Sequence, residues 1–85
     1  MPTISAFYGI IIYMWYKDHN PPHFHAEYGE YNAMFNFDGE IIDGDFPANK
    51  KKLISAWAEI HKEELEANWK LAKSRNDTFM IAPLK

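Results

Sequence analysis

The sequence contains no cysteine. This absence excludes a disulfide framework, a thiolate metal site and catalysis by a cysteine nucleophile. Long apolar runs are missing as well, and no stretch approaches the roughly 20 residues that a membrane-spanning helix needs. The N-terminus shows no basic region followed by a small-residue cleavage site, which would mark a secretory signal. We therefore expect a cytoplasmic protein that makes no membrane contact.

Positive charge is scarce in the first half of the chain. Residues 1–46 contain a single basic residue, Lys17, against seven acidic residues, which gives this half a net charge of −6. Residues 47–85 contain eight basic and five acidic residues, a net charge of +3. The acidic half would repel a phosphate backbone and attract cations. We therefore expect no nucleic-acid binding through this half.

The composition otherwise fits a small folded domain. Of the 85 residues, 47% are apolar and 16% are aromatic, enough to form a core without disulfides. A chain of this length buries only roughly 60 to 65% of the surface that it exposes when unfolded. We expect one domain, residues 1–85, with a small core.

Alternating apolar residues predict an antiparallel sheet in the first half. The predicted strands lie at about 7–16, 23–28, 31–37 and 40–43. The first strand is apolar on both faces, whereas a single helix covers only one face of a sheet. We therefore expect the face with Tyr13 and Trp15 to be covered by the chain's own tail or by another chain, in a homodimer or a complex.

The second and third strands predict a hairpin with a defined register. Gly29-Glu30 suits a two-residue type II′ turn, which pairs Phe24 with Phe35 in the core. The same register places His23 and His25 on the opposite, polar face. Two further residues on that face, whose substitution we expect to be nearly silent, are Asn32 and Asn36.

Residues 49–74 switch to a helical period, with apolar residues recurring every three or four positions. A helix of about 26 residues would be roughly 39 Å long, which exceeds a small sheet, so we expect a bend or an overhanging end near Lys62. An extended tail follows at 78–85. The pattern predicts an α+β fold, in which a three- to four-stranded antiparallel sheet carries one long C-terminal helix packed on one face.

The segment 18-DHNPPHFH-25 concentrates the side chains suited to chemistry. His23 and His25 share a strand face, with Cβ atoms about 7 Å apart. Neutral imidazole binds zinc and similar metals, and His19 or Asp18 could complete a ligand set. One interpretation is therefore a metal site of these four residues, with a divalent transition metal such as zinc as the cofactor.

The same four residues also suit acid–base catalysis. Two imidazoles can cleave RNA as general base and general acid, with Asp18 orienting His19 or His23. The lysines 50-KKK-52, at the predicted helix start, would then hold the phosphate. In this interpretation the candidate catalytic residues are Asp18, His19, His23 and His25.

A third interpretation is structural. The histidines then belong to a polar sheet surface that binds another protein, and residues 18–20 close a loop through hydrogen bonds to the backbone. His61, alone on an apolar helix stripe, is interpreted as a core histidine bonded to a backbone carbonyl. The acidic character of the sheet half favours this interpretation over RNA cleavage.

Several segments together resemble the prokaryotic domain-of-unknown-function 4160 family, over essentially the whole chain. They are 1-MPTISAFYGIIIYMW-15, the D-H-x-P-P-H-F-H motif, 39-GEIIDGDFP-47, the helical W-x3-H-K-E-E-L-x3-W and 81-IAPL-84. The resemblance implies a small protein encoded beside a partner of the domain-of-unknown-function 2442 family, as in two-gene toxin–antitoxin operons. We expect a protein-interaction module of such a system. The alternative is a histidine-based metal-binding protein or a small ribonuclease-type enzyme.

Overall fold

The computed structural model describes residues 3–15 and 19–85, which form five strands followed by two helices. The strands are β1 (Thr3–Phe7), β2 (Ile10–Tyr13), β3 (His23–Tyr28), β4 (Tyr31–Asn36) and β5 (Ile41–Asp45). The helices are α1 (Ala48–Ile60) and α2 (Lys62–Lys73). All strand pairs are antiparallel, and the order across the sheet is the order along the chain. The predicted α+β class is confirmed.

The prediction of three or four strands is wrong, because a hairpin turn at Tyr8-Gly9 interrupts the predicted strand 7–16 and an additional strand, β1, precedes the turn. Tyr16, the last residue of the predicted strand, lies outside the described residues. Phe7 pairs with Ile10, and the two residues between them both have positive φ, 49° at Tyr8 and 80° at Gly9. Positive φ at both central residues is the geometry of a type I′ turn, which matches the twist of paired strands. Tyrosine is an uncommon residue at such a position, so the turn is hidden within the apolar pattern.

The prediction of one long helix is also wrong, because the helix is interrupted at His61 (φ −110°, ψ 24°). A straight helix over 49–74 would exceed the longest dimension of the molecule, 33 Å. The interruption lets each segment bury its own apolar side chains against the sheet, including Trp57 from α1 and Leu65 from α2. Neither helix, within the described residues, is long and apolar enough to cross a membrane.

The β3–β4 hairpin has the predicted register. Phe24 lies opposite Phe35, with parallel rings whose centroids are 5.6 Å apart, and both side chains are fully buried. The Trp57 ring packs edge-on against Phe24 at 5.6 Å. The helices therefore cover this face of the sheet. The buried core consists of Ile4, Phe7, Ile10, Ile12, Met14, Phe24, Ala26, Ala33, Phe35, Phe37, Phe46, Ile54, Trp57, Ala58, Leu65, Trp69, Ala72 and Ile81.

The turn between β4 and β5 depends on Asn36. Its side-chain Oδ1 accepts hydrogen bonds from the backbone N–H groups of Asp38 (3.0 Å) and Glu40 (2.9 Å). These contacts lead us to expect that substitution of Asn36 is not silent, because its side chain replaces water as the partner of two turn amides.

The tail after α2 packs on the helix side of the sheet, along β1. The fully buried Asn68 amide donates to the Phe79 carbonyl and accepts from the Phe79 N–H, both at 2.9 Å. Trp57 Nε1 donates to the Ala82 carbonyl at 2.9 Å, and the Ile81 N–H donates to the Ile4 carbonyl at 2.7 Å. The tail therefore does not cover the face of the sheet that the helices leave open.

Candidate functional site

The sheet face opposite the helices carries two rows of side chains, and we call it the open face. Directly paired residues on neighbouring strands point to the same side of a sheet. From β1 to β5, the first row is Thr3, Tyr13, His25, Met34 and Asp43. The second row is Ala6, Ile11, Glu27, Asn32 and Asp45. None of these ten residues belongs to the hydrophobic core on the other face.

The β1–β2 half of the open face is apolar. Ile11 and Trp15 each expose 37% of their surface, whereas Tyr13 between them exposes only 6%. The Tyr13 ring contacts the Trp15 ring edge-on at 5.7 Å and stacks on the His25 imidazole at 5.1 Å. Its hydroxyl donates to Asn32 Oδ1 at 3.2 Å. Tyr13 is thus held from three sides beneath two exposed apolar side chains.

The β4–β5 half of the open face is acidic. Asp43 and Asp45 are exposed on β5, and Glu27 is half-buried on β3. Neither row contains a lysine or an arginine. Within residues 3–15 and 19–85, these three carboxylates form no ion pair. Their charge therefore acts on whatever approaches this half of the face.

His23 and His25 lie side by side, with ring centroids 5.2 Å apart. His23 is 97% buried, since only 3% of its surface is exposed, and its ring also contacts Trp69 of α2 at 5.4 Å. Its Nδ1 donates to the Pro21 carbonyl at 2.8 Å, because a carbonyl can only accept. In the neutral imidazole the lone pair is then on Nε2.

The remaining candidate ligands do not join this pair in the described part of the chain. His19 is exposed in the loop before the cis Asn20-Pro21 bond. Asp18 lies outside the described residues. Among the residues that the structure describes, no group of three or more histidine, aspartate or glutamate side chains could hold a metal ion. The described geometry brings together two of the four predicted ligands.

The lysines proposed to hold a phosphate are far from the histidines. Lys50 Nζ lies 3.4 Å from the Tyr8 carbonyl and 4.9 Å from the ring centroid of Tyr28, at the far end of β3 from His23. The five-residue rise between these ends of the strand is about 17 Å. The first turn of α1 therefore cannot supply charge to a reaction at the histidine pair, and the burial of His23 also hinders contact with a substrate.

His61 occupies the junction of the two helices, where the sequence predicts a core histidine bonded to a backbone carbonyl. Its ring packs against Trp57 at 5.7 Å, and its Nδ1 lies 2.6 Å from Glu64 Oε1. The predicted partner is therefore wrong, because the i,i+3 spacing brings the Glu64 carboxylate onto the ring. His61 does not join the histidines of β3.

A cleft of about 660 Å³ opens at the end of the sheet beside the end of α2. Its lining residues are Thr3, Met14, Ala72, Arg75, Asn76, Asp77 and Thr78. Of the candidate site residues that the structure describes, His19, His23 and His25 do not line this cleft. No motif in the sequence predicts it, because its walls come from both ends of the chain.

The comparison with protein families identifies the chain. The profile of the family described as "Domain of unknown function (DUF4160)" matches residues 9–70. The chain belongs to the DUF4160 family. The match includes four of the five strands, α1, most of α2 and the whole DHNPPHFH segment, and it leaves β1 and the tail outside. No curated protein and no solved structure matches the chain.

Proposed function

We propose that this DUF4160 protein is a protein-interaction module, which binds a second protein through its open face. The observation that carries the proposal is the pair of exposed apolar side chains, Ile11 and Trp15, on a face that neither the helices nor the tail covers. Tryptophan and tyrosine are enriched among the residues that contribute most to binding at protein–protein interfaces.

The rigidity of the site supports this proposal. Tyr13 is fixed by its stacking on His25 and by its hydrogen bond to Asn32, and both partners belong to paired strands. A surface that is ordered before binding loses little conformational entropy when a partner docks. His25 then has a structural role, since it stacks on Tyr13 and itself packs against His23.

The family resemblance directs the choice of partner. We propose a small protein of the domain-of-unknown-function 2442 type, encoded by the adjacent gene in an arrangement similar to a toxin–antitoxin pair. The two proteins would act as one complex, in which the open face is covered.

Titration calorimetry with the protein encoded by the adjacent gene tests the proposal. Trp15→Ala should weaken binding at least tenfold, because truncating an aromatic anchor costs on the order of 2 kcal/mol or more. The matched control is Ile60→Ala, which removes an apolar side chain that is 67% exposed on α1. Equal affinity of the Trp15→Ala variant and the unaltered protein would contradict the proposal.

Metal binding by the DHNPPHFH segment is the second candidate function. One observation favours it: His23 donates its Nδ1–H to a backbone carbonyl, as most metal-ligating histidines do, beside a second imidazole 5.2 Å away. Zinc would need at least one further ligand, and the sequence offers His19 and Asp18. RNA cleavage has less support, because His23 is buried.

A further inference from the structure

The distribution of charge on the open face indicates what kind of surface can bind it. The face carries three carboxylates, those of Glu27, Asp43 and Asp45, and no lysine or arginine in its two rows. The apolar side chains lie toward β1 and the carboxylates toward β5. Neighbouring strands are about 4.8 Å apart, so Ile11 and Asp45, three strands apart in one row, are separated by about 14 Å.

Gly44 allows β5 to pack closely against β4, which positions Asp43 and Asp45 on the open face. Gly44 has φ +93°, and a Cβ at this position would lie 2.4 Å from the Asn32 carbonyl oxygen and 2.8 Å from Ala33 Cα. The backbone of β5 therefore packs directly against β4, with Asp43 opposite Met34 and Asp45 opposite Asn32. Alternate residues on one strand are about 7 Å apart, so Asp43 and Asp45 lie about this distance apart on the same face, at the edge of the sheet.

A second copy of the chain fits this face poorly. Two-fold symmetry with the axis across the strands would place the β5 carboxylates of both copies together, and like charges repel. An axis along the strands would instead cover the carboxylates of each copy with the apolar half of the other. Burying carboxylates without a cationic partner is costly. Within the described residues, neither arrangement brings a lysine or arginine of the two rows to these carboxylates.

We infer that the open face binds a different protein with a basic contact surface, on which lysine or arginine side chains lie about 14 Å from an apolar anchor. The inference rests on the proposed function and adds the chemistry of the partner to it. The apolar anchor contacts Ile11 and Trp15, and the cations meet Asp43 and Asp45, with Glu27 between them. Complementary charge of this kind sets partner choice and association rate.

Two synthetic peptides serve as probes of this inference. The first, Trp-Thr-Thr-Thr-Lys-Thr-Lys, places its first lysine four residues, about 14 Å, from the tryptophan on the same side of an extended chain. The second replaces both lysines by glutamates. Binding is measured at low salt by the shifts of the Ile11 and Met34 side-chain NMR signals. The lysine peptide should shift both signals, and the glutamate peptide should shift neither.

Substitutions then locate the cationic contact. Asp43→Asn and Asp45→Asn should each weaken binding of the lysine peptide about threefold, and 0.5 M salt should abolish the difference. The charge-matched controls Glu63→Gln and Glu66→Gln, exposed on α2, should leave binding unchanged. Equal weakening by all four substitutions would overturn the inference, because the loss of any one negative charge would then suffice.

The remaining outcomes separate this inference from the proposed function. Equal binding of both peptides, or binding of neither, would overturn the inference that the partner is basic. The calorimetry with Trp15→Ala would then remain as an independent test of binding through the open face. A dimer in sedimentation equilibrium that Trp15→Ala dissociates would also overturn it, because a second copy would then occupy the face. If Trp15→Ala disrupts neither a complex with a second protein nor a dimer, the result would instead contradict the proposed function itself.

Discussion

The Tyr13 ring stacks on the His25 imidazole, with ring centroids 5.1 Å apart and planes inclined by 10°. The two residues are direct partners across β2 and β3. This contact joins the apolar first part of the chain to the histidine segment, two regions with no relation in the sequence pattern. It makes the histidine segment part of the support for the exposed aromatic surface.

Removing the Tyr13 hydroxyl should have a small effect on stability. Tyr13→Phe loses the hydrogen bond to Asn32, and we expect a decrease of about 1 kcal/mol in the free energy of unfolding, since the exposed Asn32 amide can bond to water instead. Tyr13→Ala should cost about 3 kcal/mol, because the buried ring is lost. Urea unfolding measures both, and equal costs would show that the ring contributes nothing.

The paired core phenylalanines should be far more sensitive. Phe24→Ala or Phe35→Ala should each cost roughly 3 to 5 kcal/mol, a large part of the stability of a domain this size. Asn36→Ala should cost about 1 kcal/mol through the two turn amides that it leaves without their partner. Asn36→Ala without measurable effect in thermal unfolding would contradict this assignment of the β4–β5 turn.

Two glycines with positive φ provide a matched pair of substitutions. A Cβ at Gly29 (φ +58°) would meet nothing within 4 Å, so Gly29→Ala should cost about 1 kcal/mol of backbone strain alone. Gly44→Ala should cost clearly more, because the added Cβ also collides with the backbone of β4. If calorimetric melting finds the two variants equally stable, the close approach of β5 to β4 is not present in solution.

Metal binding and docking predict different responses to zinc. Imidazole ligands must be deprotonated, and an unperturbed histidine has a pKa of about 6.5, so a zinc site would raise the Tm at pH 8 far more than at pH 5.5. The docking account predicts no such difference, in the unaltered protein or in His25→Ala. A stabilisation by zinc at pH 8 that His25→Ala removes would establish the metal site instead.

The sequence was sufficient to predict the structural features that depend on a local residue pattern. The β3–β4 register follows from alternation on both sides of Gly29-Glu30, and the helix interruption follows from length. The β1–β2 turn could not be found, because Tyr8 takes a positive φ inside an apolar run. The role of Asn68 also escaped prediction, since its partner Phe79 is eleven residues away in a tail without periodicity.

The acidic half of the open face is another feature that the local sequence pattern could not predict. A register shift lies between Met34 and Phe35, where β4 pairs with β5. The shift decides which face Asp43 and Asp45 occupy, and no residue in the sequence signals it, because a bulge depends on how two strands fit together. The distribution of charge along the sequence revealed the acidic region, whereas its position on the same face as Ile11 and Trp15 required the structure.

The most direct test of the docking account is hydrogen exchange of the protein alone and in the presence of the proposed partner, a small protein of the domain-of-unknown-function 2442 type. The account predicts that binding slows exchange at the backbone amides of β2 and β5, on either side of the open face, and leaves α2 and the tail from Asn76 onward unchanged. Slower exchange confined to α2, the tail or the cleft between them, with β2 and β5 unaffected, would contradict it.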